Sequence, residues 1–141
     1  MLYFHNPGEI DIRGATVAGL SAKEGDTPIG FFGTGLKYAL ATALRFKCQV
    51  IIHSGTKTHI FWLKNETIRG KPFDTIQMQT DRGDFVDLGF TTELGKTWEL
   101  WMSYREFLCN ALDEGASFSE AGFETSEKIM PRDCVQSGSA V

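Results

Sequence analysis

Three closely spaced glycines form the stretch with the clearest chemical potential. Gly30, Gly33 and Gly35 fall within six residues, directly before an amphipathic run. Because glycine lacks Cβ, the backbone there can take positive φ and approach a ligand closely. If a helix starts near Thr34, its first N–H groups have no partner within the helix and favour an anion, most often phosphate. The stretch is therefore either a phosphate cradle or an ordinary Gly-rich turn before a helix.

A polar triplet in a second predicted helix, over 103–114, is the other informative feature. Glu106, Asn110 and Asp113 recur at i, i+4 and i+7 and so share one face. The opposite face carries an apolar stripe of Tyr104, Phe107, Leu108, Ala111 and Leu112. In the simplest interpretation, Ser103 and Glu106 form a capping box and the other two polar residues are solvated.

Both segments resemble motifs of one family. Residues 29–36, Ile-Gly-Phe-Phe-Gly-Thr-Gly-Leu, are similar to the second glycine box of the GHKL ATPases (gyrase, the ninety-kilodalton class of heat-shock chaperone, histidine kinase and MutL). Residues 18–23 resemble the segment that precedes the ATP lid in chaperone-type members. Residues 106–116 resemble the N-box, which in MutL-type members reads Glu-Leu-x-x-Asn-x-x-Asp-Ala-Gly-Ala.

The resemblance implies an ATP site with Mg²⁺. Glu106 would be the general base that orients the attacking water, Asn110 would bind the metal, and Asp113 would lie beside the nucleotide. This chemistry suits phosphoryl transfer, which needs a positioned water and neutralisation of developing charge. The implied nucleotide-binding residues are Gly30, Phe32, Gly33, Thr34, Gly35, Leu36, Lys37, Asn110 and Asp113. Lys37 lies off the apolar stripe of its helix, and a solvated side chain is favoured over phosphate contact.

The motif order departs from the family pattern. The N-box normally comes first, whereas here it follows the glycine box, which indicates a circular permutation. Permutation is physically feasible when the original termini are adjacent. The adenine-binding Asp-x-Gly-x-Gly is missing after Ala116, and residues 133–138 and 6–9 match it poorly. The chain is therefore either a fragment or a domain with an incomplete nucleotide site. Its Asn-Pro-Gly-Glu-Ile-Asp and glycine-box segments are also similar to uncharacterised phage proteins.

Composition narrows the class of protein. The 141 residues predict one domain over 1–123, with 124–141 a polar tail or the start of a missing segment. A net charge of −4 argues against general nucleic-acid binding. Three cysteines without metal spacing, no signal peptide and no apolar run of membrane-spanning length predict a cytoplasmic protein, in a host cytoplasm or a virion if viral.

The expected fold is α+β, a two-layer sandwich in which helices cover one face of a mainly antiparallel sheet. By resemblance it is Bergerat-like and permuted. The predicted helices are 34–45 and 103–114, with Gly115 as C-cap, and the predicted strands are 49–54, 58–64, 73–80, 85–91 and 97–102. Residues 65–72 are predicted to be a polar connection.

The predicted function is nucleotide and Mg²⁺ binding, with slow ATP hydrolysis as the possible activity. Two alternatives stay open. One is a non-enzymatic nucleotide sensor or sponge, and the other is a viral structural or assembly protein that reuses the fold. A protein partner or a homo-oligomer is compatible with each.

Overall fold

The computed structural model describes residues 2–4, 12, 34–113, 115–116, 122–123 and 137–140. Two helices are described, α1 (Thr34–Arg45) and α2 (Leu100–Asp113). The strands are β1 (Leu2–Tyr3), β2 (Val50–Ser54), β3 (Lys57–Ile68), β4 (Lys71–Gln79), β5 (Phe85–Thr91), β6 (Gly122–Phe123) and β7 (Ser137–Ala140).

Helix α1 has the bounds that its periodicity predicts. The helix lies deep in the protein, because Ala41 and Thr42 are buried in addition to its whole predicted apolar stripe, which consists of Leu36, Ala39, Leu40, Ala43 and Leu44. The helix ends in a Schellman turn at Lys47, which has φ 64°. The N–H of Lys47 donates to Leu44 O at 2.9 Å, and that of Cys48 donates to Ala43 O at 3.0 Å. This turn reverses the chain, and β2 begins directly afterwards at Val50.

An antiparallel sheet forms the second layer. Strands β2 to β5 pair in sequence order, and β7 adds to the free side of β2, giving the order β5-β4-β3-β2-β7. Val50 lies opposite Phe61, which lies opposite Met78, so these three side chains share one face. They belong to the same core cluster as the buried apolar residues of α1 and α2. Trp62, on the other face, is 42% exposed. The expected α+β architecture is confirmed at this level.

The β3–β4 hairpin is longer than predicted, and the polar connection over 65–72 was wrong. Both strands continue to a two-residue turn at Arg69 and Gly70, whose φ values of 50° and 76° are those of a tight hairpin turn. Polar side chains fit this extension because they pair across the strands. The amide nitrogen of Asn65 donates to the carboxylate of Asp74 at 3.1 Å.

The fifth predicted strand, 97–102, was also wrong. Residues 92–97 form turns, and α2 starts at Leu100, so the helix begins three residues before the predicted Ser103. The aromatic residues that suggested a strand have other contacts: Trp98 stacks on Tyr38 of α1, with ring centroids 5.2 Å apart. The predicted C-cap is confirmed, because Gly115 has φ 90° and the following N–H, of Ala116, donates to Ala111 O at 2.9 Å.

The beginning of the chain lies beside α2. Strand β1 pairs with β6, which follows α2 in sequence. The ring of Phe4 packs against that of Phe107 on α2, with centroids 6.4 Å apart. The predicted tail also contributes to the sheet, because its residues 137–140 form β7.

Candidate functional site

The two motifs predicted from the sequence meet at Gly35 and Glu106. A Cβ placed on Gly35 would lie 2.5 Å from Cδ of Glu106 and 3.2 Å from Oε2, and it would overlap Oε1. Real Cβ atoms essentially never come this close to another heavy atom. Gly35 lies in the first turn of α1. Because it has no Cβ, the carboxyl group of Glu106 on α2 can occupy the space beside it. About seventy residues separate the two in sequence.

Helix α2 buries part of its polar face. Its buried residues are Ser103, Glu106, Phe107 and Ala111, and Glu106 is only 8% exposed. The side-chain nitrogen of Asn110 is buried too. The predicted apolar stripe is buried only in part, because Tyr104, Leu108 and Leu112 are intermediate. The inward surface of α2 therefore lies between its predicted polar and apolar faces.

The capping-box interpretation of Glu106 was wrong. Because α2 starts at Leu100, Ser103 lies inside the helix and Glu106 lies in its second turn. A side chain in that position is beyond the free N–H groups at the start of its own helix. Its burial is explained by the neighbouring helix instead.

The contact places a carboxyl group beside the first turn of another helix. That first turn of α1 contains no acidic residue of its own. A helix N-terminus carries a partial positive charge and attracts anions. Glu106 is thus suited to two roles, either as the acidic partner of the α1 terminus or as a base beside an anion bound there.

The other predicted site residues divide into three groups. Thr34 is exposed and Lys37 half-buried in the first turn of α1, whereas Leu36 is a core residue. Asn110 and Asp113 lie on α2, one and two turns beyond Glu106. The remaining three, Gly30, Phe32 and Gly33, are outside the described residues.

The described side chains of the candidate site are suited to Mg²⁺ only when a nucleotide supplies further oxygen ligands. Within the described ranges, no group of three or more His, Cys, Asp and Glu side chains is placed to hold a metal ion. Mg²⁺ that is bound with phosphates needs only one or two oxygen ligands from the protein. Asn110 and Asp113, three residues apart on one helix, offer an amide oxygen and a carboxylate.

Two structurally prominent residues were not predicted. Ser103 is completely buried one turn before Glu106, and its hydroxyl has no hydrogen-bond partner among the described residues. In the sequence, Ser103 was interpreted as part of a capping box with Glu106. Arg45, at the end of α1, donates to several carbonyls of the connection that leads into α2. A basic residue in the last turn of a helix is so common that its sequence position gave no signal.

Two titratable groups whose pKa values are shifted mainly by burial lie outside the candidate site. Burial raises the pKa of Tyr104, whose hydroxyl lies 4.0 Å from Cys48 Sγ, and the nearby thiol adds to this shift. Burial lowers the pKa of His59, an effect that Asp81 opposes. His59 is on β3, on the core face of the sheet opposite Ile52. Neither group belongs to the candidate site.

Comparison of the chain with family models, with curated proteins and with solved structures finds no match.

Of the helices that the structure describes, neither is long and apolar enough to cross a membrane.

Proposed function

We propose that this protein is a GHKL-like, circularly permuted domain that binds ATP or a related nucleotide together with Mg²⁺. The observation that carries the proposal is the contact between Gly35 and Glu106. The glycine box and the N-box were identified separately in sequence, and a shared ligand requires them to be neighbours in space. Asn110 would hold the metal beside phosphates that the glycine box holds, and the metal would neutralise their charge.

Each motif has a distinct role in this proposal. The backbone amides at the start of α1 hold the phosphates, where the helix dipole favours negative charge. Asn110 holds Mg²⁺ and Asp113 lies close to the nucleotide. The metal, when bound, neutralises phosphate charge. Glu106 orients a water molecule and accepts its proton, and its burial keeps bulk solvent away from that carboxyl group.

The placement of the chain start supports the permuted arrangement. In the family, the adenine-binding motif follows the N-box in sequence. Here β1 pairs with β6, and Phe4 packs on Phe107 of α2. Residues 6–9, the weak match to that motif, follow Phe4 in sequence and lie outside the described residues. That match lacks the family's Asp-x-Gly-x-Gly, so the proposal covers guanine as well as adenine nucleotides.

A Mg²⁺-dependent thermal shift tests the proposal. A ligand that binds only the native state raises its stability, so ATP, ADP and GTP are each added with Mg²⁺ or with a chelator. We expect a Mg²⁺-dependent rise in Tm for at least one nucleotide. Asn110→Ala and Gly33→Val should abolish the rise while far-ultraviolet circular dichroism stays unchanged. Asn65→Ala, an exposed strand substitution, is the matched control and should keep it.

Glu106→Gln separates the two roles of the carboxyl group. If Glu106 is a base, the variant keeps nucleotide binding and loses phosphate release, because only the base is removed. If Glu106 serves only the α1 terminus, the variant loses stability and turnover is unaffected. The absence of any nucleotide-dependent shift in the unmodified protein would refute the whole proposal.

A second candidate function, as an assembly module without catalysis, is favoured by the surface of the sheet and of α2. Trp101 is 52% exposed, and Phe85 on the outer strand β5 is 54% exposed. Among the described strands, none pairs with the outer edge of β5. An unpaired edge with exposed apolar side chains is a ready surface for another chain. Light scattering would test this, since Phe85→Lys should lower the mass of any assembly.

A further inference from the structure

Arg45 binds the connection between β5 and α2 through backbone oxygens. Its guanidinium donates to Thr92 O at 2.6 Å, Gly95 O at 3.1 Å and Trp98 O at 3.1 Å, with a longer contact to Leu94 O at 3.5 Å. One side chain thus gathers several carbonyls from a single irregular segment. Hydrogen bonds from a charged donor are stronger than neutral ones, particularly when they are partly buried.

A second contact holds the same connection to α1. Tyr38 lies under Gly95, where φ is 62° and an added Cβ would overlap the tyrosine ring. The ring of Trp98 stacks on Tyr38 at an interplanar angle of 27°. Residues 92–98 are therefore fastened along α1 by an arginine and by an aromatic stack.

We infer that Arg45 is a positioning residue that sets the placement of Glu106 against Gly35. Helix α1 carries both Gly35 and Arg45, which are ten residues and roughly 15 Å apart along the helix. Helix α2 starts two residues after Trp98, so fastening the connection fixes where α2 begins and how it lies across α1. The effect of Arg45 on nucleotide binding rests on the proposed function, whereas its effect on the placement of Glu106 against Gly35 does not.

The chemistry of the contact requires arginine. A planar guanidinium presents five donors in a fixed arrangement and can reach several carbonyls at once. A lysine ammonium keeps the charge but is a single point with a flexible stem. We therefore expect Arg45→Lys to retain part of the effect and Arg45→Met to lose it.

The test measures the contact between the helices directly. In isotopically labelled protein, a nuclear Overhauser effect between the Cα protons of Gly35 and the side chain of Glu106 reports their proximity. We expect Arg45→Met to lose this signal and Arg45→Lys to weaken it. Mg²⁺·ATP affinity, measured by calorimetry, should fall roughly 10–100-fold in Arg45→Met, as is typical when a site is displaced by a distant change.

Two control variants distinguish the positioning role of Arg45 from a general loss of protein stability. Arg105→Met removes an exposed arginine of α2 that lies over the Trp101 ring, and Ile76→Val slightly destabilises the core at β4. Both should keep the Gly35–Glu106 signal. If Arg45→Met does not fold, Arg45→Lys and Trp98→Leu provide the comparison, and each should weaken the signal.

An unchanged signal in a folded Arg45→Met, or an equal loss in Ile76→Val, would overturn the inference. If the unmodified protein binds no nucleotide but Arg45→Met still loses the signal, the proposed function fails and the positioning role stands.

Discussion

The two helices are similar in length but differ in what they bury. Helix α1 has 12 residues and buries the whole apolar stripe that its periodicity predicts, together with Ala41 and Thr42. Helix α2 has 14 residues and buries a serine and a glutamate alongside Phe107 and Ala111, while Trp101 is exposed. Burying a carboxyl group is costly unless its surroundings compensate. Core packing therefore explains the burial of α1. The burial of Glu106 on α2 is explained by its contact with the first turn of α1.

The largest expected difference between the helices is the cost of truncating a leucine. Leu40 of α1 is completely buried, so Leu40→Ala should lower the free energy of unfolding by about 2–5 kcal/mol. Leu108 of α2 is half-buried, so Leu108→Ala should cost about half as much. Urea denaturation of both variants measures the difference. Equal losses would contradict the different burial of the two helices.

Gly35→Ala should destabilise the protein, although replacing glycine by alanine usually stabilises a helix. In a helix, Gly→Ala normally stabilises by up to about 1 kcal/mol. At Gly35 the new Cβ overlaps the carboxyl group of Glu106, so we expect Gly35→Ala to destabilise by about 1–3 kcal/mol.

Glu106→Ala supplies the matched background for that substitution. With the carboxyl group gone, Gly35→Ala should become neutral or stabilising, and the double-mutant cycle should give a clear interaction energy. Additive effects of the two substitutions would show that Gly35 and Glu106 do not touch.

The smallest expected effects come from the buried hydroxyl residue of each helix, Thr42 and Ser103. Thr42 of α1 accepts a hydrogen bond from Arg45 at 3.3 Å, so Thr42→Ala should cost about 1 kcal/mol. Ser103 of α2 has no hydrogen-bond partner among the described residues, and alanine favours helix, so Ser103→Ala should change stability by less than about 0.5 kcal/mol or increase it. Thermal unfolding of both variants provides the comparison. A larger loss for Ser103→Ala would mean that its hydroxyl has a partner outside the described residues.

Most secondary structure was predictable because its signals are local. The bounds of α1 and β5 match the predicted 34–45 and 85–91. Helical periodicity, strand alternation and glycine in turns all act within a few residues. The antiparallel order followed in turn, since short turns force neighbouring strands to pair.

The start of α2 was not predictable in the same way. The run from 97 to 102 is aromatic and favours a strand by composition. Within this run, Trp98 contacts Arg45 and Tyr38, which lie 53 and 60 residues earlier in the chain. A local pattern carries no information about such distant partners. The predicted helix start at Ser103 was therefore wrong, and the predicted capping box of Ser103 and Glu106 was wrong for the same reason.

The amino-acid sequence by itself determined that two helices are present, the pairing order of β2 to β5, and the residue types of the two motifs. Only the tertiary structure decided that Glu106 is buried and lies against Gly35. The reason is physical. A glutamate on a helix is solvated or buried according to what packs beside it, and its neighbour here is another helix about seventy residues away. The missing Cβ of Gly35 is what allows that approach.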